Sequence, residues 1–294
     1  MTRPADDTAS LVMQATSTRV LVTGASGLAG TAIVERLLHD GYDVHATYRR
    51  TPPSVDGATW HHVDLQRAPA VRSLWQEIEP ALVINSVYTD EPKRMWVGNV
   101  TTTRNIAAAT AAVGARLTHL SSDLVFPGSK TERYREGDER LGIDPYGKAR
   151  IVAEDEVARV DDLLIVRTSL LYNGATPARH EQRVIDEVRS PTRWRFFVDE
   201  FRCPTQVDDV ARSVVELSAQ HATGVFHATA NEIVSRFAFA QMVAAKFGED
   251  PTAVLGASVG DVSVPRAPHV ALDSSKLFTA LDWRPRDISE VLAR

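Results

Sequence analysis

The chain is poor in the features that mark secreted and membrane proteins. It contains one cysteine, Cys203, so no disulfide can form within the chain, and we expect a reducing cytoplasm. No apolar run approaches the roughly 18 residues that a membrane span requires. Acidic residues outnumber basic ones and give a net charge of -5, which suggests neither a nucleic acid nor an anionic membrane as a partner. Lysine is scarce, with five among the 33 basic residues.

What the chain does contain is enough apolar material for a large core. Of its 294 residues, 44% are hydrophobic, which suffices for one large domain or two closely joined ones. Residues 1–18 are polar and lack both a basic start and a long apolar centre, so we predict a disordered tail rather than a signal peptide. We predict no metal site.

A glycine-rich stretch near the start carries the strongest signal. Residues 20–22 form an apolar run typical of a buried strand, and Gly24, Gly27 and Gly30 follow at three-residue spacing. Apolar residues at 33–38 then fall on one helical face. This order of strand, glycine turn and helix is the one that a dinucleotide site needs, because the turn brings backbone N–H groups to the pyrophosphate. Without its flanks, the triplet would indicate only a flexible loop.

The spacing G-x-x-G-x-x-G resembles the extended branch of the short-chain dehydrogenase/reductase family. The resemblance implies an α/β fold with a Rossmann-type doubly wound parallel sheet over residues 19–170, with part of 199–230 packed on it. A smaller C-terminal α/β substrate lobe is expected over 171–294. The active site is expected in the crevice between them, at the carboxyl ends of the strands.

The end of the second predicted strand, residues 43–48, indicates which cofactor binds. No acid stands there for a ribose hydroxyl of NAD, and Arg49 and Arg50 follow instead, which favours the 2′-phosphate of NADP(H) over NAD(H). An ordinary solvated arginine pair is the alternative. After the third strand, the resemblance puts Asp64 beside the adenine, or Asp64 is a helix N-cap. Residues 85–89 resemble a segment that lines the cofactor. The predicted cofactor-binding residues are Gly24, Ser26, Gly27, Leu28, Ala29, Arg49, Arg50, Asp64, Leu65, Ser86, Val87, Tyr88, Tyr146 and Arg150.

The fifth predicted strand, residues 117–122, runs into a second family motif. Residues 121–128 resemble Ser-Thr-Asp-Tyr-Val-Phe-x-Gly, the signature of the dTDP-4-dehydrorhamnose reductase group. Ser122 takes the place of the catalytic threonine, and Asp123 is expected at the substrate. Leu124 replaces the tyrosine, and it stands where dehydratases carry the glutamate of an Asp-Glu pair. That loss disfavours dehydration.

Residues 144–154 resemble Pro-x-x-Tyr-Gly-x-x-Lys-x-x-x-Glu, which implies that Tyr146 is the catalytic tyrosine. The catalytic lysine position, four residues on, holds Arg150, which shares a helix face with Tyr146. Lys148 points away from that face and is a poor substitute. Residues 129–145 are polar and are predicted to be a loop over the site.

The C-terminal portion continues the resemblance. Residues 167–172 match Arg-Thr-Ser-x-x-Tyr, and residues 199–205 resemble Asp-Gln-x-Gly-x-Pro-Thr. Arg266 stands before a Leu-Asp-x-x-Lys-Leu motif and is a candidate for the diphosphate of a nucleotide sugar. An ion-paired surface arginine is the alternative.

Together these motifs imply an NADP-dependent reductase of a nucleotide-activated 4-keto deoxysugar, with a small-molecule substrate and a homodimer as the expected partners. Tyr146 would donate the proton, Arg150 would hold the nicotinamide ribose, and Ser122 would bind the carbonyl oxygen. Two alternatives stay open. The regulatory β subunit of methionine adenosyltransferase resembles the same group, so the chain could be a cofactor-binding partner protein. A sugar-nucleotide epimerase would share the fold.

Overall fold

The computed structural model describes residues 18–192 and 194–292. The tail predicted for residues 1–18 therefore lies, apart from Thr18, outside the described residues. No helix in these two ranges is long and apolar enough to cross a membrane.

Helices and strands alternate through the first half of the chain. The strands are β1 (Arg19–Thr23), β2 (Asp43–Tyr48), β3 (Thr59–His62), β4 (Leu82–Asn85), β5 (Arg116–Ser122) and β6 (Leu163–Thr168). The helices are α1 (Leu28–His39), α2 (Ala68–Ile78), α3 (Thr102–Ala112) and α4 (Pro145–Val157). A π-helical turn, Val97–Thr101, precedes α3, and a 3-10 turn, Asp123–Val125, follows β5.

The second half has shorter elements. Its strands are β7 (Leu171–Tyr172), β8 (Phe196–Phe197), β9 (Phe201–Arg202), β10 (Thr205–Gln206), β11 (Gly224–His227), β12 (Val234–Ser235) and β13 (Gly256–Ala257). Its helices are α5 (Arg179–Arg189), α6 (Val207–Ala219), α7 (Arg236–Lys246), α8 (Ser275–Leu281) and α9 (Ile288–Leu292). Two 3-10 turns, Pro251–Ala253 and Val259–Asp261, flank β13.

Seven strands form the main sheet, in the order β11-β6-β5-β4-β1-β2-β3. The pairings of β1 with β2 and β4, of β2 with β3, and of β4 with β5 are all parallel. Starting from β1, the chain builds outward to β3, returns, and continues from β4 on the other side, which is the doubly wound Rossmann order. The predicted fold class is therefore confirmed. The central strands β1 and β4 are buried along most of their length, as their unbroken apolar runs predict.

The chain divides into two compact units. Among the described residues, unit 1 consists of 18–120, Val152–Ile165 and Val214–Gly224, and unit 2 of Ser121–Ile151, 166–192, 194–213 and 225–292. In unit 1, Leu21, Ile33 and Trp75 are fully buried. Unit 2 has one apolar cluster around Tyr172 and Phe239 and another around Phe126 and Tyr134, whose rings stack with centroids 4.5 Å apart. The domain boundary at residue 170 stays a prediction.

Candidate functional site

The glycine turn of unit 1 leaves no room for side chains. Gly24 has a φ of +71°, in the left-handed region that favours glycine, and a Cβ there would lie 2.8 Å from the backbone nitrogen of Val87. A Cβ on Gly30 would fall on the carbonyl oxygen of Gly24, far inside the 3.0 Å that real Cβ atoms keep. The spacing of these glycines is thus explained by two close backbone approaches, one between loops and one between turn and helix.

The N-terminus of α1 is open to an anion. Its N-cap is Gly27, which has no side chain to accept from the first N–H groups, and the first turn of the helix holds no acidic residue. The backbone N–H groups at the start of a helix lack intrahelical partners and lie at the positive end of the helix dipole. Leu28 and Ala29 belong to this first turn and Ser26 is exposed just before it. This arrangement suits a pyrophosphate.

A buried asparagine fixes the loop after β4. The Asn85 Oδ1 accepts from the hydroxyl of Thr23 at 2.9 Å and from the backbone nitrogen of Val87 at 3.1 Å. The backbone nitrogen of Ser86 donates to the Thr23 carbonyl at 3.0 Å. The predicted cofactor-lining residues Ser86 and Val87 are therefore tied to the strand that precedes the glycine turn, while Tyr88 is 50% exposed.

The ends of β2 and β3 present cations and a histidine. Arg49 and Arg50 are both exposed. The His62 ring lies 5.3 Å from that of Tyr48, and its Nε2 is 3.0 Å from the carbonyl oxygen of Arg49. Exposed guanidinium groups at this strand end are available to an incoming phosphate.

Asp64 has a different local role from the predicted helix cap. Helix α2 takes Arg67 as its N-cap, so that alternative is wrong. Asp64 instead accepts from the backbone nitrogen of Gln66 at 3.1 Å, closing a turn, and its side chain is exposed. The neighbouring Leu65 carbonyl accepts from Asn105 Nδ2 at 3.0 Å, which anchors this turn to α3.

In unit 2, the end of β5 gathers polar groups around one carboxyl. Asp123 is 3% exposed; its Oδ1 accepts from the Ser122 hydroxyl at 3.1 Å and its Oδ2 from the Ser169 hydroxyl at 2.6 Å. The backbone nitrogen of Leu124 donates to Ser122 Oγ at 3.2 Å. Burial raises the pKa of Asp123, and the charge of Arg202 and the hydrogen bonds oppose that rise.

The tyrosine segment packs directly onto this strand end. A Cβ on Gly147 would overlap the carbonyl oxygen of Leu124, so the start of α4 meets residues 122–124 backbone to backbone. The carboxylate of Asp144 accepts from the Gly147 nitrogen at 2.6 Å and begins the helix. Tyr146 is half-buried and Arg150 is 2% exposed. Unit 2 thus brings the segments of Ser122 and Tyr146 together.

The lysine two residues beyond Tyr146 lies on another face of the same helix. Lys148 is exposed, whereas Arg150 is buried, as the i, i+4 spacing from Tyr146 requires. Lys148 is therefore no substitute for a buried cation at position 150.

Arg266 is held by a carboxylate. Its Nη2 lies 3.0 Å from Oε1 of Glu200, and its guanidinium sits 4.6 Å from the ring centre of Phe197. Arg202 shares the same carboxylate at 3.1 Å. Burial pulls the pKa of Glu200 upward, but the Arg266 hydrogen bond and the charges of three arginines, Arg202, Arg266 and Arg236, outweigh it and lower that pKa. This geometry matches the alternative in which Arg266 is an ion-paired arginine. One face of its guanidinium also stacks on the ring of Phe197.

The sequence analysis does not predict a role for three residues of this region, Ser169, Glu200 and Arg202, although all three lie inside family motifs. Two of them could have been found from the sequence. Glu200 and Arg202 replace the glutamine and glycine of Asp-Gln-x-Gly-x-Pro-Thr with opposite charges, and the two side chains pair with each other. Nothing in the sequence shows that Ser169 contacts Asp123, since that contact joins residues 46 positions apart.

A comparison with protein families decides the assignment. The family model described as the RmlD substrate binding domain matches residues 18–294. The chain belongs to this family. Among curated relatives, a dTDP-4-dehydrorhamnose reductase of Mycobacterium tuberculosis is 28% identical over 277 residues, covering 89% of this chain and 87% of the relative. A methionine adenosyltransferase 2 subunit beta of Pongo abelii is 29% identical over 285 residues, covering 89% and 82%.

Solved structures agree on the fold. A dTDP-4-dehydrorhamnose reductase from Bacillus anthracis, solved in complex with NADP, superposes with a TM-score of 0.81 at 24% identity. The match covers 95% of this chain and 98% of that one. The similarity in fold therefore extends over most of the chain.

Proposed function

We propose that this chain is a reductase that uses NADPH to reduce the 4-keto group of a nucleotide-activated deoxysugar. The observation that carries the proposal is the backbone contact between Gly147 and Leu124, which packs the Tyr146 segment onto the Ser122 segment. A phenol and a hydroxyl on adjoining segments are the two donors that a carbonyl oxygen needs when it becomes an alkoxide. The sugar-nucleotide class comes from the family and from the reductase relative.

The residues of unit 1 fit a dinucleotide. Gly24 lets the turn pack against the loop after β4 and Gly30 lets the helix pack against the turn, and the N-terminus of α1, which has no side-chain cap, offers its N–H groups to a pyrophosphate. Arg49 and Arg50 would hold the 2′-phosphate that distinguishes NADP from NAD. When bound, the nicotinamide cofactor supplies the hydride that reduces the carbonyl carbon.

The residues of unit 2 supply the proton and the electrostatic stabilisation. Tyr146 donates its phenolic proton to the developing alkoxide. The guanidinium of Arg150 lies on the same helix face, and its positive charge stabilises the phenolate that remains. Ser122 donates a hydrogen bond to the carbonyl oxygen, and this bond strengthens as negative charge builds up there.

Arg150 is the feature that favours a second candidate function. In place of lysine it keeps the charge, but it is planar and bulkier than an ammonium group. The β subunit of methionine adenosyltransferase is a relative of similar identity, so a cofactor-binding partner protein is the alternative. The general shortage of lysine in the chain offers a neutral reason for the exchange. We favour a retained reductase activity.

Two substitutions test the assignment. With a dTDP-4-keto-6-deoxysugar as substrate and NADPH oxidation as the readout, Tyr146→Phe should lose most activity. Arg150→Lys should stay within about a hundredfold of the parent, roughly 2.7 kcal/mol in barrier. Lys148→Arg is the matched control, since Lys148 is exposed on the same helix and should have no effect. If the parent binds NADPH but reduces no substrate, and the Arg150→Lys variant does reduce it, the result favours the cofactor-binding partner protein.

A further inference from the structure

The carboxyl of Asp123 is placed where it controls what Ser122 can donate. It is enclosed between two serines, Ser122 on Oδ1 and Ser169 on Oδ2, and it is almost fully buried. Arg202 approaches Oδ2 with its Nε at 3.7 Å, which is beyond hydrogen-bonding distance, while its Nη2 is 3.1 Å from Glu200. The guanidinium is therefore hydrogen-bonded to Glu200 and forms only a longer ion pair with Asp123.

The hydrogen-bond inventory of Ser122 gives two distinct states. A serine has one O–H to donate and two lone pairs that accept. One lone pair of Ser122 accepts from the backbone nitrogen of Leu124. If Asp123 is ionised, its Oδ1 can only accept, so the single Ser122 proton is bonded there and reaches a substrate only by giving up that bond. If Asp123 carries a proton on Oδ1, it donates to Ser122 and the serine proton is released.

We propose that Asp123 works as the neutral acid, donating its proton to Ser122 Oγ and so freeing the Ser122 hydroxyl to donate to the substrate carbonyl. This rests on the proposed reductase function, which gives Ser122 that task. Asp123 is a positioning residue in this account, because it acts through Ser122 and does not touch the substrate carbonyl. The Ser169 hydroxyl keeps its bond to Oδ2 in either state.

The groups around Asp123 determine how readily it keeps its proton. Burial raises the pKa of Asp123, whereas Arg202, Ser169, Ser122 and the Leu124 N–H all act to lower it. Burial also raises the pKa of the Cys203 thiol, so that neighbour is uncharged. Burial lowers the pKa of Arg236 to about 10, and the charges of Glu200 and Asp123 oppose that fall. The net shift of the Asp123 pKa is upward, because its enclosure from solvent outweighs the groups that favour the carboxylate.

The isosteric amide distinguishes the neutral acid from the carboxylate. In Asp123→Asn, the Nδ2 can donate permanently to Ser122 while the amide oxygen accepts from Ser169 and faces Arg202. We expect kcat/KM to fall by about threefold to tenfold at the parent's optimum, since an amide is a weaker donor, and the basic limb of the pH profile to move to higher pH, because the amide has no acidic proton to lose in that range. In Asp123→Ala, kcat/KM should fall more than a hundredfold. An amide variant as inactive as Asp123→Ala, or an unchanged basic limb, overturns the proposal.

Ser169→Ala tests the same carboxyl from its other side. Loss of a hydrogen bond that favours the carboxylate should raise the pKa of Asp123 and move the basic limb upward by about one pH unit or more. Ser213→Ala is the matched control, because Ser213 is fully buried and its hydroxyl bonds the carbonyl of Asp209 within its own helix. It should leave the limb in place. If the basic limb of the pH profile stays in place in Ser169→Ala, the assignment of that limb to Asp123 is wrong.

A second measurement is independent of turnover. Infrared difference spectra between the parent and Asp123→Asn should show the C=O band of a protonated carboxylic acid near neutral pH, and that band should disappear at a pH matching the basic limb. Absence of the band overturns the proposal, whatever the substrate. If the band is present but no nucleotide keto sugar is reduced, the proposed function fails and the neutral state of Asp123 stands.

Discussion

The close approach of Gly147 to Leu124 makes one substitution especially informative. In Gly147→Ala the new methyl group would overlap the Leu124 carbonyl oxygen, and it would also lie 3.1 Å from the carbonyl carbon of that residue and 3.2 Å from Asp144 Oδ1. The Leu124 carbonyl is part of the backbone and the Asp144 carboxylate caps the helix, so neither group can move aside as a flexible side chain would. The segments carrying Tyr146 and Ser122 must therefore separate.

The size of the effect follows from that separation. Restoring ordinary contact requires a shift of roughly 1 Å, and a misplacement of that size can lower a catalytic rate by about a hundredfold. Overpacking a well-filled interior costs about 1–3 kcal/mol of unfolding free energy. We therefore expect Gly147→Ala to fold with reduced stability and to lose about a hundredfold in kcat. The NADPH dissociation constant should change less than kcat, since Gly24, Gly27 and Gly30 are untouched and, in the proposed function, only the nicotinamide end lies near the shifted helix.

The assay compares two alanine variants of the same unit. Gly137 is exposed, a Cβ added there would meet no atom within 4 Å, and its backbone needs no unusual φ, so Gly137→Ala should match the parent in both kcat and stability. NADPH oxidation gives kcat, fluorescence titration gives cofactor affinity, and thermal unfolding gives stability. If Gly147→Ala retains the kcat of Gly137→Ala, the packing of these two segments does not set the catalytic geometry.

Three further predictions concern unit 1. Gly30→Ala should weaken NADPH binding more than tenfold in a fluorescence titration, because its methyl group displaces the turn, and wild-type affinity would refute this. Burial lowers the pKa of both His45 and His61 in the folded protein. As the pH is lowered, the unfolded chain therefore binds protons before the folded protein does, and the free energy of unfolding should fall between about pH 7.5 and about pH 5.5. His61→Gln should make the melting temperature less sensitive to that change. The parent should bind NADPH at least tenfold tighter than NADH, as a phosphate contact of about 1.5–3 kcal/mol implies, and the Arg49→Ala/Arg50→Ala double variant should bind both equally.

The sequence predicts the elements of unit 1 well because local patterns determine them. The second strand, residues 43–48, has the predicted bounds, and the glycine spacing anticipates the close approaches at Gly24 and Gly30. The helical segment at residues 95–112 contains a π-helical turn, Val97–Thr101. There the Asn99 amide nitrogen donates to the carbonyls of Thr89 at 2.7 Å and Met95 at 2.9 Å, which are contacts that periodicity does not reveal.

The chemistry of unit 2 was less predictable, because it depends on pairs that are distant in sequence. Motif resemblance makes Ser122 and Tyr146 candidate catalytic residues, but only the fold shows that Asp123 lies between Ser122 and Ser169. Resemblance likewise suggests a phosphate ligand at Arg266, whereas the structure shows its bond to Glu200. Side-chain pairing across a fold cannot be obtained from the spacing of residues along one strand or helix.

The most direct test of the central claim is whether the unmodified protein oxidises NADPH when a dTDP-4-keto-6-deoxysugar is added. The account predicts turnover that depends on the nucleotide sugar, is abolished in Tyr146→Phe, and is much slower with nucleotide-free ketones and aldehydes. Tight NADPH binding with no oxidation across a broad panel of nucleotide keto sugars would contradict it, and so would a preference for the nucleotide-free compounds.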